Sequence, residues 1–306
     1  MIKVFGHLSP DTDATGSAII WSWYLNEHTG YDAAPYVLGE LNSETSFVLN
    51  HLKIATPELL STLSSNDTVS VVDTNNPQEL PTAINECSIV HIIDHHKLVG
   101  GLKTTSPIEI TMRPLACTAT VLFDTMNIKG AELPSHIAGL ILACIISDTL
   151  GFRSPTTTPH DKDVAEMLAQ VLGVDITQFA NEMFAAKSDI SSFSDSGLIK
   201  LDSKKYDVGD KNFRVSVLET TNPDSVLQRK AGIVEAIKQC ILEEDDIDEV
   251  LFFIVDILKE EATVLTYSDL SKQVITSSFG VTVESDTEVL PGIVSRKKQI
   301  LPALKL

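Results

Sequence analysis

Polar and apolar positions divide the first half of the chain into a recurring unit: a short apolar run, a polar turn, then a helical spacing. Ile2–Phe5 is the first apolar run. The turn Phe5-Gly6-His7-Leu8-Ser9-Pro10-Asp11-Thr12-Asp13 follows, and residues 14–27 have helical spacing. Residues 34–38 are apolar and closed by Gly39, and residues 45–52 and 57–63 read as helices. Residues 68–73 read as a buried strand ending in an acid, and 77–85 as a short helix. Residues 88–96 are a second β-rich run, ending in Asp94-His95-His96. Residues 117–126 and 135–146 are apolar with helical spacing, the latter running straight into Ser147-Asp148. Residues 160–172 form an amphipathic helix stopped by Gly173. Strand, polar turn and helix in repetition predict a parallel sheet with helices on both faces. Such a sheet binds ligands beyond the carboxyl ends of its strands. His7, Asp11 and Asp13 follow one strand, Asp73 ends another, and Asp94-His95-His96 ends a third.

The pattern changes after a Ser-rich polar stretch at 187–195. The expected organisation is a first domain over 1–187, a linker over 188–194 and a second domain over 195–306. In the second, 213–218, 250–257 and 262–266 read as strands; 226–242 reads as a helix, and 270–278 as another ended by Gly280. Strands now neighbour one another, so a smaller α/β domain with a mixed sheet is expected, and a cleft between the domains is the expected substrate site.

The turn after the first strand carries one imidazole and two carboxylates, with a single Gly and no Lys, so it is not a phosphate-cradling glycine loop. Hard and borderline ligands on one tight turn point to a divalent metal; the simpler alternative is a turn whose Ser and Asp cap the helix. Asp73 has its own alternative, an N-cap for the segment after Asn76, and His95 and His96 could be surface histidines. Asp148 follows an apolar helix, where a carboxylate opposes the helix dipole and a cation would offset it. His7, Asp11, Asp13, Asp73, His95 and Asp148 together form a mixed carboxylate and imidazole set that suits manganese, iron, cobalt or zinc more than calcium. Six ligands suit two ions sharing a bridging carboxylate; pairs about 3.5–4 Å apart clamp in-line displacement at phosphorus. A polyanionic substrate then needs cations. Ser295-Arg296-Lys297-Lys298-Gln299 is a compact basic run, and Lys204 and Lys205 form another, each with a solvated surface cluster as the alternative.

Composition narrows the field. The 306 residues carry a formal net charge of -19, which argues against a general duplex-binding surface. The densest acidic run, Glu243-Glu244-Asp245-Asp246, reads as a solvated helix end. Cys87, Cys117, Cys144 and Cys240 are far apart, which fits buried free thiols rather than a disulfide framework or a zinc knuckle. The N-terminus has no secretion-signal pattern, and the longest apolar run, 137–146, falls well short of the ~20 residues a bilayer needs. A cytoplasmic protein without a membrane partner is expected.

Gly6-His7-x-x-Pro10-Asp11-x-Asp13, Val72-Asp73, Asp94-His95-His96 and Ser147-Asp148 resemble, in order, the motifs of the DHH phosphoesterase superfamily. With Leu201-Asp202-x-Lys204 and Ser295-Arg296-Lys297-Lys298, the chain resembles a family II, manganese-dependent inorganic pyrophosphatase over both domains, without a nucleotide-sensing insert. The resemblance implies a DHH metal-binding catalytic domain followed by a DHH-associated substrate domain. It implies hydrolysis of pyrophosphate to two phosphates by a metal-bridged hydroxide. Two Mn2+ per subunit are implied, with Co2+ able to substitute, and Mg2+ arriving with substrate. His7 and Asp11 correspond to ligands of one ion, Asp13, His95 and Asp148 to ligands of the other, and Asp73 to the bridge. His96 corresponds to a substrate-facing histidine able to donate a proton; Lys204, Arg296 and Lys297 correspond to the phosphate clamp. A homodimer is implied too. The alternatives are another DHH phosphoesterase (exopolyphosphatase or oligoribonuclease) or a non-catalytic metal- and phosphate-binding regulator. Aromatic residues for base stacking are few, at 6%, so no nucleic-acid partner is expected. All six ligands are in place, which a regulator would not require.

Overall fold

The structure, a computed structural model, describes residues 1–306 apart from Ser192, Asp245 and the side chains of Lys297 and Lys298. Its contacts divide it into two units, Met1–Ala186 and Lys187–Leu306. Among the described residues no helix is long and apolar enough to cross a membrane.

In the first unit, strands β1 (Ile2–Phe5), β2 (Ala33–Val37), β3 (Glu58–Leu59), β4 (Thr68–Val72), β5 (Ser88–Asp94) and β6 (Glu109–Met112) form one sheet in the order β3-β2-β1-β4-β5-β6. Every pairing in it is parallel. The helices are α1 (Thr12–Tyr24), α2 (Ser43–His51), α3 (Thr118–Met126), α4 (Ser135–Asp148), α5 (Pro159–Leu172) and α6 (Ile176–Lys187). Helix α1 packs against β1 and β2 and against α3 and α4. Its Trp21 meets the His91 ring of β5 edge-on, at 5.4 Å between centroids. The opposite face is built differently. Phe5, Val69, Val71, Ile89 and Ile92 pack there with Leu80, Ile84 and Cys87. Leu80, Ile84 and Cys87 flank or belong to two 3-10 turns, Pro77–Glu79 and Ile84–Glu86, which stand where residues 77–85 read as one helix. Pro77 favours a turn start, and Leu80 with an extended backbone interrupts the segment.

Residues 57–63 also differ from expectation. They hold the two-residue edge strand β3, which pairs with Tyr36 and Val37, and not a helix. The strand order reverses between β1 and β4, both of which point the same way with different neighbours beyond. In doubly wound sheets this switch point is where loops diverge and leave a crevice at the carboxyl ends.

The second unit opens with α7 (Asp195–Lys200) and continues with β7 (Ser203–Val208), β8 (Lys211–Thr220), α8 (Pro223–Leu227), α9 (Lys230–Glu243), β9 (Glu249–Asp256), β10 (Glu261–Leu265), α10 (Asp269–Phe279) and β11 (Thr287–Pro291). The sheet order is β11-β10-β9-β8-β7, with β8 and β9 parallel and the remaining pairs antiparallel, so the sheet is mixed. Strand β9 is buried at every position, and its alternate side chains enter two cores. Phe252 and Ile254 pack with Ile233 and Ile237 of α9, whereas Leu251, Phe253 and Val255 pack with Val274 and Ile275 of α10. The single helix read over 226–242 is two, broken at Gln228 and Arg229.

Candidate metal centre

Gly6 closes β1 because nothing larger fits: a Cβ there would stand 2.7 Å from the Cβ of Ala14. That close approach aims residues 7–13 across the carboxyl end of the sheet. Asp11 caps α1, its Oδ1 accepting from the Ala14 amide at 2.9 Å, so the capping alternative holds for one of its oxygens. Its Oδ2 stays 3.6 Å from Nε2 of His7. Asp13 lies in the first turn of α1 and is fully buried. It accepts from the Thr118 amide at 2.6 Å and the Ala119 amide at 3.0 Å, at the amino end of α3, and from Ser17 Oγ at 3.1 Å. A carboxylate suits that helix end, where amide groups and the dipole both favour negative charge.

Asp73 directly follows β4 with φ 58, in the left-handed region that a non-glycine residue occupies only under constraint. It is 1% exposed. It caps nothing; Asn76 is the cap of the following turn, accepting from Gln78. The two Asp73 oxygens face different partners. Oδ2 is 3.5 Å from His7 Nε2, and Oδ1 is 3.5 Å from His95 Nε2. Strand β5 ends at Asp94, which accepts from the amides of His95 and His96 at 2.8 and 3.1 Å. Its Oδ1 also lies 2.9 Å from Nδ1 of His96, whose side chain is 53% exposed. His95 Nδ1 is 3.0 Å from the Leu115 carbonyl, which can only accept, so that nitrogen carries the proton. In the neutral imidazole Nε2 of His95 is then the nitrogen left with a free lone pair. It is buried, has no hydrogen-bond partner, and points between Asp73 and Asp148 Oδ2, the latter 4.0 Å away. Asp148 is the last residue of α4.

Three groups have ligand atoms within 4.8 Å of one another: His7 with Asp11 and Asp73, Asp73 with His95 and His96, and Asp13 with Cys117 and Asp148. All six sequence candidates therefore meet on one edge. Cys117 was not anticipated as a neighbour of this edge. Neither were Thr118, which donates to Asp73 at 2.9 Å, or Asn75, which donates to Asp94 at 2.6 Å. The signal for Thr118 was its place at the start of a predicted helix; for Asn75 it was the run Asp73-Thr74-Asn75-Asn76 after a strand.

Charge is badly balanced here. Burial disfavours a charged His7, but Asp11 and Asp73 outweigh it and raise the imidazole to about 10. Burial likewise opposes charge on His95, yet Asp73 and Asp13 raise it to about 9. Burial, then the Asp73 charge, pushes Asp13 up to about 8. Burial with Asp13 and Asp73 drives Asp148 well above the carboxylate range. Burial also penalises Asp73, but His7 and His95 hold it below that range. Protons are substituting for cations. Mixed oxygen and nitrogen donors, a buried imidazole nitrogen without a hydrogen-bond partner and surplus buried carboxylate fit divalent transition-metal binding.

A cavity of about 440 Å³, lined by His7, Leu8, Ser9, Gln78, Glu79 and His96, opens beside these residues. A larger one, about 690 Å³, lies at the other end of the strands against Ile2, Thr68 and Ser88, away from the ligand-type residues. In the second unit, Arg296 donates to the Asp202 carbonyl at 2.9 Å and pairs with its carboxylate at 2.7 Å. This ties the basic run to the start of β7, where Lys204 is exposed. Lys205 pairs instead with Glu244 and Asp246, at 2.8 and 2.6 Å. The Lys297 side chain lies outside the described residues.

Comparison with known proteins adds to this geometry. Residues 1–145 match the DHH family N-terminal domain and residues 181–306 the DHHA2 domain. A probable manganese-dependent inorganic pyrophosphatase of Lactobacillus gasseri is 38% identical over 304 residues, 98% of this chain and 96% of the relative. One of the same description from Deinococcus radiodurans is 38% identical over 310 residues, 100% of this chain and 98% of the relative. Among solved structures, a putative family II inorganic pyrophosphatase of Methanococcus jannaschii is similar with a TM-score of 0.65 and 34% identity, over 99% of this chain and 98% of that one.

Proposed function

The chain belongs to the manganese-dependent inorganic pyrophosphatases, and from that premise we propose that it hydrolyses inorganic pyrophosphate to two phosphates. The observation that carries the reading is the Asp73 carboxylate, whose two oxygens face His7 on one side and His95 on the other. That is the posture of a bridge between two ions. In this reading His7 and Asp11 hold one Mn2+, Asp13, His95 and Asp148 hold the second, and Asp73 is shared. Co2+ substitutes in the same donor set, and Mg2+ enters with the substrate. The two ions would supply Lewis acidity toward phosphoryl oxygens and lower the pKa of the attacking water.

The chain's own residues do the rest. Thr118 and Ala119 amides hold the Asp13 carboxyl in place. The Leu115 carbonyl fixes the His95 tautomer so that Nε2 faces the ions. Asp94 orients His96 through Nδ1, leaving Nε2 of this half-exposed ring to pass a proton to the departing phosphate. Asp73 is catalytic through its bridging position. Arg296, Lys204 and Lys297 are the cations proposed to hold phosphate oxygens. Arg296 is supported by its anchorage on Asp202, which fixes the guanidinium of a side chain only 10% exposed. We place the protein in the cytoplasm, as a homodimer without nucleic-acid or membrane partners. Pairing across the edge strand β6, whose Ile110 is 57% exposed, would cover unpaired backbone groups.

The test is phosphate release by metal-stripped protein given Mn2+ and Mg2+ with pyrophosphate, tripolyphosphate or a short oligoribonucleotide. Manganese-dependent turnover of pyrophosphate alone is expected. Turnover of either other substrate in preference would overturn the substrate, and no turnover of any would favour a binding role.

A further inference from the structure

We propose that Thr118 is a positioning residue of this site, setting the plane of the bridging carboxylate through its hydroxyl while its amide holds Asp13. The inference rests on the two-ion reading above and extends it to a residue that binds no ion and touches no substrate.

The backbone of Asp73 is fixed by its left-handed conformation and by its amide, which donates to the Ile93 carbonyl at 2.9 Å. Its carboxylate is not fixed by that. Rotation about the terminal sp³–sp² bond of aspartate is soft and broad. A bridge needs one orientation, with an oxygen on each side. The nearest imidazole nitrogens, on His7, His95 and His96, are 3.5 to 3.9 Å away, too far to hold the group by hydrogen bonding. Thr118 Oγ1 donates to Asp73 Oδ1 at 2.9 Å, the shortest contact the carboxylate makes. The bond occupies one lone-pair direction of Oδ1 and leaves another toward His95. Thr118 is itself fully buried, and its amide donates to Asp13 Oδ2 at 2.6 Å. One residue at the amino end of α3 thus registers carboxylates that arrive from the first turn of α1 and from the end of β4. The threonine methyl and backbone make the position part of the fold; the hydroxyl is what the site uses.

The experiment compares wild type, Thr118→Ser, Thr118→Ala and Thr118→Val as apoproteins. Each is titrated with Mn2+ by calorimetry, and the loaded proteins are examined by electron paramagnetic resonance for the spin-coupled ion pair. Thr118→Ala and Thr118→Val are expected to lose about 10- to 100-fold in affinity for the manganese pair and to weaken the coupled signal. With pyrophosphate, kcat should fall more than KM rises. Thr118→Ser should restore both the signal and the affinity. Ser and Ala variants both lack the methyl, so their difference reads the hydroxyl even if the valine variant fails to fold. Equal manganese affinity and an unchanged coupled signal in the Ser and Ala variants would overturn the proposal. Wild type that binds two ions but leaves pyrophosphate intact would sink the functional reading instead, while the manganese titrations still decide the role of Thr118.

Discussion

Asn75 donates through Nδ2 to Oδ2 of Asp94 at 2.6 Å, and the other Asp94 oxygen holds Nδ1 of His96 at 2.9 Å. A buried amide two residues after Asp73 thereby orients the carboxylate that orients His96, the histidine proposed to donate the proton. Asn75 also donates to the Lys97 carbonyl at 3.0 Å and accepts from the Val99 amide at 2.7 Å, so it pins the whole turn after β5. Asn75→Ala should lower kcat for pyrophosphate by about 10- to 100-fold, the usual effect of losing a partner behind a ligand or catalytic group. Manganese affinity should change less than kcat. Steady-state kinetics beside a calorimetric manganese titration checks it; a wild-type kcat would show that His96 needs no such support.

Glu44 stands behind three of the proposed ligands at once. It is buried, accepts from Thr12 Oγ1 at 2.8 Å, and accepts from Ser147 Oγ in a short hydrogen bond. Thr12 lies between Asp11 and Asp13, and Ser147 precedes Asp148. Glu44→Ala takes the acceptor from both hydroxyls, leaving Thr12 with only the Thr45 hydroxyl at 3.1 Å, and an unmet buried polar group costs about 1–3 kcal/mol. The variant apoprotein should melt several degrees lower, and Glu44→Gln, which keeps an acceptor, should melt between the two. Equal melting temperatures for all three would remove Glu44 from the support of this edge.

Protons must leave when metal enters. His7 at about 10, His95 at about 9 and Asp13 at about 8 all bind a proton at neutral pH in the metal-free protein. Ligation needs neutral imidazole and ionised carboxylate. These values are raised in the metal-free form, so the protonated state competes with metal below them and the competition fades as pH rises. Apparent manganese affinity should therefore increase from pH 6 to pH 8. Calorimetry in buffers of different ionisation enthalpy should report net proton release, and a binding enthalpy that ignores the buffer would contradict the charge balance described here.

The carboxyl ends of β1, β4 and β5 were legible because short buried strands followed abruptly by His and Asp leave little else for those residues to do. Edge strands were not. β3 offers two exposed residues, and β7 reads Ser-Lys-Lys-Tyr-Asp-Val, with one face wet and the other only partly covered. Hydrophobic periodicity has nothing to report in such segments. The break between α8 and α9 was hidden for another reason. Arg229 leaves the helix to donate to Asp195, to the Ile190 carbonyl and to the Phe193 carbonyl, and no local pattern encodes partners that distant. Thr118 and Asn75 carried only a positional signal, at a helix start and after a strand end, because neither is a usual metal-ligand type; the chain's return to the same edge is what brings them to Asp73 and Asp94.

Arg296 supplies the last prediction. Its NH1 bonds both the carbonyl and the carboxylate of Asp202, two residues before Lys204, so the guanidinium is held where one edge of its fork is already committed. Lys at this position keeps the charge but cannot grip Asp202 and a phosphate at the same time, because it offers a single point and not a planar fork. A hydrogen bond to a charged group is worth about 1.5–3 kcal/mol, which corresponds to a loss of roughly 10- to 150-fold in kcat/KM. Arg296→Lys and Arg296→Ala should both show that loss, mostly as a higher KM, with manganese titrations indistinguishable from wild type. Asp202→Asn keeps the carbonyl contact and weakens the other, so it should fall between wild type and Arg296→Lys. A wild-type KM in Arg296→Ala would take the residue out of the phosphate clamp, and a loss of manganese would place its role in the first unit's chemistry instead.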